Sequence, residues 1–117
     1  MNDAIEKALS SDRVVDITTT GRRTGAARRI EIWMFQVDGG LYISGRPGKR
    51  GWYANLLADP RLTLHLKQAV RADLPAKARP VTDTADRERI FTQIQQHFGA
   101  DFEDLVAASP LVAIHVD

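Results

Sequence analysis

Short β-prone segments separated by glycine turns fill the first third of the chain, and this pattern constrains the fold more than any other feature. The β-branched run Val14–Thr20 suits a strand and disfavours a helix. Gly21–Gly25 is a turn bracketed by two glycines, and Arg28–Val37 alternates aliphatic side chains with polar and aromatic ones. Asp38–Gly40 is typical of a tight hairpin. These segments predict consecutive antiparallel strands.

The rest of the chain adds further strands and short helices. Pro75 interrupts one of the expected strands, and Thr82 or Asp83 is expected to cap the longest helix. The prediction is an α+β, mainly β protein with about six mostly antiparallel strands and two or three helices. A barrel is the expected closure because it leaves no free sheet edges. The further strands are expected over residues 41–44, 61–67, 70–80 and 111–116, and helical segments over residues 3–11, 52–58, 83–98 and 101–108.

Length and composition predict one ordinary globular domain spanning residues 1–117. With 117 residues, 44% of them hydrophobic and 26% charged, the chain is long enough for one core and too short for two. It has no cysteine, which excludes disulfides, thiolate metal sites and thiol catalysis, and a cytoplasmic location is expected. No apolar run reaches the roughly 20 residues of a membrane helix, and no secretory signal is visible at the amino terminus.

The formal net charge of +1 conceals a strongly basic segment between Gly21 and Arg50. This segment has seven bases against two acids, a balance of +5, whereas the remaining residues have nine bases against thirteen acids, a balance of −4. A near-neutral protein with one basic third is suited to binding an anion locally rather than to coating a polyanion. Exposed charges contribute little by themselves, so these bases matter as ligands only if the fold draws them around one pocket.

The residue types that carry most enzyme chemistry are absent or wrongly spaced. His65, His97 and His115 are not at metal-ligand spacing, so a structural role is expected for each, and no serine lies in a Gly-x-Ser-x-Gly elbow. The glycine-rich loop Gly45–Gly51 is not a P-loop, because two residues instead of four separate its first glycines and Arg50 follows Lys49. No catalytic residue and no metal site are therefore predicted. If the chain is an enzyme, a cofactor carries the chemistry.

Two motifs resemble those of a known family. The segment Thr18–Gly25, Thr-Thr-Thr-Gly-Arg-Arg-Thr-Gly, with Arg28 after it, resembles the signature of the deazaflavin-dependent nitroreductase family. The block Trp52–Pro60 resembles that family's Trp-Tyr-x-Asn-Leu motif, and the strand after Pro110 also fits. The resemblance implies a split β-barrel related to the FMN-binding pyridoxamine-phosphate oxidases. It also implies a hydride transfer from reduced coenzyme F-420 to a quinone, nitro or enone acceptor.

The resemblance also implies which residues bind the cofactor. Coenzyme F-420 carries a phosphodiester and a tail of glutamate carboxylates, and the arginine fork matches both groups. The basic turn would hold the phosphate and tail, the glycine-rich loop would line the cofactor, and the following helix would begin at the pocket. The implied cofactor-binding residues are Arg22, Arg23, Thr24, Arg28, Ser44, Gly45, Arg46, Lys49, Arg50, Trp52, Tyr53 and Asn55.

Several alternatives stay open at this point. Trp52, Leu56 and Leu57 would pack the helix into the core, and Trp33 is expected in the core rather than as a substrate platform. FMN is the alternative cofactor, and a non-catalytic flavin- or ligand-binding module is the alternative function. Binding of single-stranded nucleic acid is disfavoured, because aromatic residues make up only 7% of the chain. The expected partner is a small-molecule substrate, and a homodimer is left open.

Overall fold

The amino-terminal strands form the meander that the sequence predicts. The computed structural model describes residues 2–117, and Met1, the first residue of the predicted domain, lies outside them. Strands β1 (Val14–Thr20), β2 (Ala27–Val37) and β3 (Gly40–Ser44) pair in antiparallel order. Asp38 and Gly39 have φ angles of 50° and 80°, the left-handed conformation that a two-residue type I′ hairpin turn requires.

Three further strands close the sheet into a barrel. They are β4 (Arg61–Leu66), β5 (Ala72–Pro80) and β6 (Leu111–Val116), and the strand order around the closed barrel is β1-β2-β3-β6-β5-β4. Every neighbouring pair is antiparallel. The predicted fold class, a mainly β split barrel, is confirmed.

Pro75 lies inside β5 without ending it. The Pro75 carbonyl accepts a hydrogen bond of 2.9 Å from the Asp117 backbone N–H, so this residue directs its polar backbone groups towards the β6 side. Pairing with β6 begins only at Ala76, opposite Val116. The missing N–H of Pro75 therefore removes no hydrogen bond between paired residues of β5 and β6. The predicted interruption is therefore wrong.

Helices pack against both surfaces of the barrel wall. Helices α1 (Asp3–Ser11) and α2 (Gly51–Ala58) contribute Ala8, Trp52 and Leu56 to the core inside the barrel. Helices α3 (Thr84–Ile94) and α4 (Phe102–Ala108) cover a second core on the outer face of β2, β3 and β6, built from buried residues that include Phe35, Val37, Ile90, Phe91, Ile94, Phe98, Leu105, Leu111 and Ala113. No helix within residues 2–117 is long and apolar enough to cross a membrane.

Four further details differ from the sequence-based prediction. The described residues contain four α-helices rather than two or three, and α3 ends at Ile94 before a 3-10 turn at Gln95–His97. Leu57 is 57% exposed because it lies on the outer face of α2. Trp33 lies on the outer face of β2 and is 41% exposed, because the second core covers this face at Phe35, which is fully buried, and does not include Trp33. The expected core positions for Leu57 and Trp33 are wrong.

Candidate functional site

The turn between β1 and β2 is fixed by its own backbone. The Gly21 N–H donates to the Ala26 carbonyl at 2.7 Å, and the Gly25 N–H donates to the Gly21 carbonyl at 2.8 Å. Gly25 has a φ of +73°, which a residue with a side chain adopts only with strain. The Ala26 N–H donates to Thr24 Oγ1 at 3.2 Å. The turn therefore holds its arginines in a defined place on the surface.

Asn55 of α2 ties this turn to the barrel. Its Oδ1 accepts from the Arg22 backbone N–H at 3.1 Å and from Arg22 Nη1 at 3.0 Å, while its Nδ2 donates to Thr19 Oγ1 at 3.1 Å. Asn55 and Thr19 are 5% and 2% exposed. The amide that was predicted to contact the cofactor is thus engaged within the protein, and its direct effect is to position Arg22.

A basic groove of about 500 Å³ lies between this turn and the start of α2. Its cations are Arg22, Arg23 and Arg28, and none of the described residues that line it carries a carboxylate. Arg29, the next residue on β2, points to the opposite face and donates from Nε to Asp16 at 3.0 Å. The strand alternation thus separates Arg28, which forms no ion pair with the described residues, from Arg29, which is paired on the other face. The basic groove is lined by Thr19, Gly21, Arg22, Arg23, Thr24, Arg28, Ile30, Gly51, Trp52 and Asn55.

A second groove, of about 480 Å³, lies on the other side of the start of α2. Lys49 and Tyr53 line it, so the predicted site residues divide between two grooves. The Trp52 and Tyr53 rings, one lining each groove, have centroids 5.9 Å apart and are nearly perpendicular. The second groove is lined by Gly48, Lys49, Tyr53, Val81, Thr82, Arg87, Ala107, Ala108, Ser109 and Pro110.

Four predicted site residues line neither groove. The Ser44 hydroxyl is buried and donates to the Pro110 carbonyl at 2.7 Å, which ties the end of β3 to the chain before β6. Gly45 lies close to Arg50 and Pro110, and Arg50 Nη1 donates to the neighbouring Lys49 carbonyl at 3.0 Å. The Arg46 side chain is exposed. Their roles in cofactor binding stay predictions.

Arg87 is a buried residue of the second groove that the sequence reasoning missed. It is 9% exposed, and its guanidinium donates to the carbonyls of Val81, Leu105, Val106 and Ser109. Burial lowers the pKa of this guanidinium from its ordinary value. The signal was present in the sequence, because residue 87 occupies the same helical stripe as the apolar residues 90, 91 and 94.

The three histidines lie apart from both grooves. His65 lies 2.6 Å from Asp73 Oδ1 through Nδ1 and 2.7 Å from Thr18 Oγ1 through Nε2. The hydrogen bond with His65 lowers the pKa of the Asp73 carboxyl. His97 lies against Arg13, and burial, together with that charge, lowers the pKa of its imidazole. His115 is exposed. Within residues 2–117, no three histidine or acidic side chains come together as metal ligands do.

Comparison with known proteins identifies the class of the chain. The family model described as F420H2-dependent quinone reductase matches residues 2–116. Among solved structures, the general stress protein 26 of Bacillus anthracis is similar with a TM-score of 0.73 at 14% identity, over 98% of this chain and 88% of that one. A related protein of the pyridoxinephosphate oxidase family from Clostridium acetobutylicum has a TM-score of 0.73 at 15% identity, over 97% and 82%. A chain described as a domain-swapped dimer has a TM-score of 0.58 at 15% identity, over 95% and 90%.

Proposed function

The chain belongs to the F420H2-dependent quinone reductase family, and from this membership and its basic groove we propose that it binds coenzyme F-420 and reduces a small activated acceptor. The family is one of oxidoreductases, and the membership confirms the resemblance to deazaflavin-dependent split barrels. The observation that carries the proposal is the convergence of Arg22, Arg23 and Arg28 in one groove that no carboxylate lines.

The chemistry of this donor set fits the anionic part of the cofactor. Guanidinium groups bind phosphate and carboxylate oxygens in the same bidentate way. Three of them in a groove of about 500 Å³ supply more charge than the single phosphate of FMN needs. They suit a phosphodiester followed by a chain of carboxylates, so the groove favours F-420 over FMN.

The start of α2 adds backbone donors to the same place. Arg50, at the N-cap, makes no side-chain hydrogen bond to the first turn, so the N–H groups there are available. A Cβ built on Gly51 meets nothing within 4 Å, so the side of the helix at its first residue is open. Free N–H groups at a helix start favour an anion or a ring carbonyl oxygen. They lie between the two grooves and would act on a ligand that spans both.

The protein's own contribution to the reaction is binding and orientation. When bound, reduced F-420 would supply the hydride, and the described residues that line the basic groove include no carboxylate, histidine, lysine or cysteine. Asn55 fixes the turn through Arg22, and the backbone bonds of Gly21 and Gly25 hold its shape. Such fixed donors orient the cofactor, and orientation is the part of the rate enhancement that a protein supplies in a cofactor enzyme.

A binding titration tests the proposal. The purified protein is titrated with F-420 and separately with FMN, following tryptophan fluorescence, since Trp52 lines the groove. We expect micromolar F-420 binding that weakens about tenfold in Arg23→Ala and in Arg28→Ala, because each loses a charge-assisted hydrogen bond. Arg71→Ala, an exposed arginine that lines neither groove, is the matched control and should bind normally.

Two other outcomes would contradict the proposal. Tight FMN binding without F-420 binding would assign the chain to the FMN-type alternative. Binding of neither cofactor would leave a non-catalytic barrel as the better account. The acceptor, whether quinone, nitro compound or enone, requires a separate screen with reduced F-420.

A further inference from the structure

A row of three hydrogen-bonded side chains crosses the outer face of the barrel from β5 through β4 to β1. His65 of β4 lies at its centre, with Nδ1 2.6 Å from Asp73 Oδ1 and Nε2 2.7 Å from Thr18 Oγ1. His65 is 7% exposed, whereas the Asp73 side chain is 75% exposed. The imidazole is thus held between a solvated carboxylate and a threonine hydroxyl that lie 8 and 47 residues away in the chain.

The chemistry of the two partners fixes where the protons of this row lie. The hydrogen bond from His65 lowers the pKa of the Asp73 carboxyl, so this group is ionised at neutral pH and only accepts hydrogen bonds. His65 Nδ1 therefore donates to Asp73. In the neutral imidazole Nε2 is then an acceptor, and the Thr18 hydroxyl donates to it. A hydroxyl that donates to an imidazole oriented by a carboxylate is the arrangement of an activated nucleophile.

The neighbouring charged side chains on this face pair with one another. Asp16 is opposite His65 in the register of β1 and β4, and it accepts from Lys67 at 2.6 Å and from Arg29 at 3.0 Å. Asp16 is thus engaged by two cations, and Asp73 is the carboxylate that orients His65.

Thr18 also lines a third groove, of about 360 Å³, which lies beside the turn between β1 and β2. Thr20 and Thr63 line the same groove, and Thr63 is opposite Thr18 in the register of the two strands. Their hydroxyls are donors of the kind that stabilise a carbonyl oxygen as it gains negative charge. Arg61 lines the groove as well, with Nε and Nη2 bonded to Asp59. A groove of this size accommodates a short acyl chain.

We propose that Thr18, His65 and Asp73 form an acyl-transfer site, outside the basic groove, that hydrolyses small activated esters. Thr18 is the nucleophile, and His65 is the general base and then the general acid. Asp73 is the positioning residue that holds the imidazole. The third groove holds the acyl group, and the hydroxyls of Thr20 and Thr63 stabilise the oxyanion. The site requires no cofactor.

The reaction balances in two steps and involves no oxidation or reduction. In the first step, the Thr18 hydroxyl proton moves to His65 Nε2 while Oγ1 bonds to the ester carbonyl carbon. The bond from that carbon to the alcohol oxygen then breaks, and the alcohol leaves with the proton from Nε2. In the second step, Nε2 takes a proton from water and the water oxygen bonds to the acyl carbon. The bond to Oγ1 breaks, and Oγ1 takes the proton back. One ester and one water give one alcohol and one carboxylic acid.

The test uses p-nitrophenyl acetate and the purified protein without any cofactor. Release of p-nitrophenolate gives the rate above the buffer reaction, and peptide mass spectrometry locates acetyl groups on the chain. Thr18→Val is compared with Thr92→Val, an exposed threonine of α3, and His65→Gln with His115→Gln, an exposed histidine. Each variant is also tested for thermal unfolding and for F-420 binding.

We expect an acetyl group on Thr18 of the wild type and normal rates in both controls. Thr18→Val and His65→Gln should each lower kcat/KM about 100-fold, the smaller end of what a positioned base contributes. Asp73→Asn should lower kcat about tenfold with little change in KM, because it affects the orientation of the base and not the binding of the ester. Asp73→Glu keeps a carboxylate and should recover most of the rate. Both Asp73 variants should fold normally, since this side chain is exposed.

Four results would overturn the inference. A wild type that cleaves the ester no faster than buffer has no such site. Acetyl groups confined to lysine amines would show that Thr18 is not the nucleophile. An Asp73→Asn variant with normal kcat and lower thermal stability would show that the row only stabilises the barrel. Normal ester cleavage with weaker F-420 binding in Thr18→Val would assign this residue to the cofactor site.

One further outcome separates this inference from the proposed function. If the wild type cleaves the ester through Thr18 but does not bind F-420, the acyl-transfer site is supported, whereas the proposed function fails.

Discussion

The two grooves beside α2 are both positively charged, but the arginines of one groove are exposed and the arginine of the other is buried. In the basic groove, the arginines come from one short turn and its following strand, and their side chains are exposed. In the second groove, Arg87 is 9% exposed and donates to carbonyls from the residue after β5, from α4 and from the residue after α4. The first arrangement is local in the sequence, and the second exists only after the chain has folded.

This difference has an energetic consequence. Exposed arginines contribute little to stability, so substituting them should lower ligand affinity more than it lowers the free energy of unfolding. The buried Arg87 bonds four backbone carbonyls, so altering it costs stability before it affects any ligand. The two grooves should therefore respond to substitution in opposite ways, and the following variants test that contrast in order of decreasing effect.

Arg87→Ala should be the most damaging single change. It removes the guanidinium that donates to the carbonyls of Val81, Leu105, Val106 and Ser109, and it should lower the free energy of unfolding by about 3 kcal/mol or more. Chemical denaturation measures the loss. Arg89→Ala, two residues further along the same helix, removes only exposed ion pairs and should cost less than about 1 kcal/mol. Equal losses of unfolding free energy in Arg87→Ala and Arg89→Ala would contradict the structural role of the buried arginine.

Asn55→Ala should affect both stability and cofactor binding. The variant leaves the Arg22 backbone N–H and the Thr19 hydroxyl without their partner, which should lower the free energy of unfolding by about 1–3 kcal/mol. The loosened turn should also weaken F-420 binding. Leu57→Ala on the same helix is the control, because its exposed side chain should change stability by less than about 0.5 kcal/mol. Unchanged F-420 affinity in Asn55→Ala would show that the turn does not need this anchor.

Two glycine substitutions should move stability in opposite directions. Gly25→Ala introduces a side chain at a φ of +73° and should destabilise the protein by about 1 kcal/mol. Gly51→Ala lies in a helix with open space around its Cβ, so it should raise stability by up to about 1 kcal/mol. The new methyl group would enter the basic groove, so F-420 affinity should fall. Thermal unfolding and the F-420 titration measure these effects, and a Gly51→Ala variant with normal affinity would argue against contact with the start of α2.

The smallest expected effect concerns pH at the end of α2. Hydrogen bonds from the Arg61 side chain and backbone lower the pKa of Asp59 to about 2, from 3.8. A carboxylate with a depressed pKa adds stability that is present above pH 4 and is lost as the pH falls through about 2. The difference in unfolding free energy between the wild type and Asp59→Asn should therefore shrink between pH 4 and pH 2. A constant difference over this range would show that the pairing of Asp59 with Arg61 does not contribute to stability.

The fold was largely predictable because its signals are local. The hairpin at Asp38–Gly39, the β-branched run of β1 and the leucine alternation of β4 each depend on neighbouring residues. Pro75 was misjudged because it lies just beyond the point where β6 ends, at Val116 opposite Ala76, and the sequence does not show this register. The exposure of Leu57 depends in the same way on how α2 sits against the barrel.

The candidate site was predictable only in part. The basic turn could be identified because its arginines and glycines are contiguous and because its motif resembles a known family. The bonds of Asn55 to Arg22 and Thr19 span 33 and 36 residues, and the unpaired hydroxyl of Ser109 results from packing between distant segments. Contacts of this kind arise from tertiary structure, so they cannot be inferred from a single sequence.

The central claim is that the basic groove binds F-420, and amide chemical shifts in a ¹⁵N-labelled protein test it most directly. On titration with F-420, the account predicts saturable shifts at the amides of residues 21–25, Arg28 and Gly51, with Arg71 unchanged and with the shifts weakened in Arg28→Ala. The account would be contradicted if F-420 left the amides of residues 21–28 unperturbed or if Arg28→Ala bound it as tightly as the wild type.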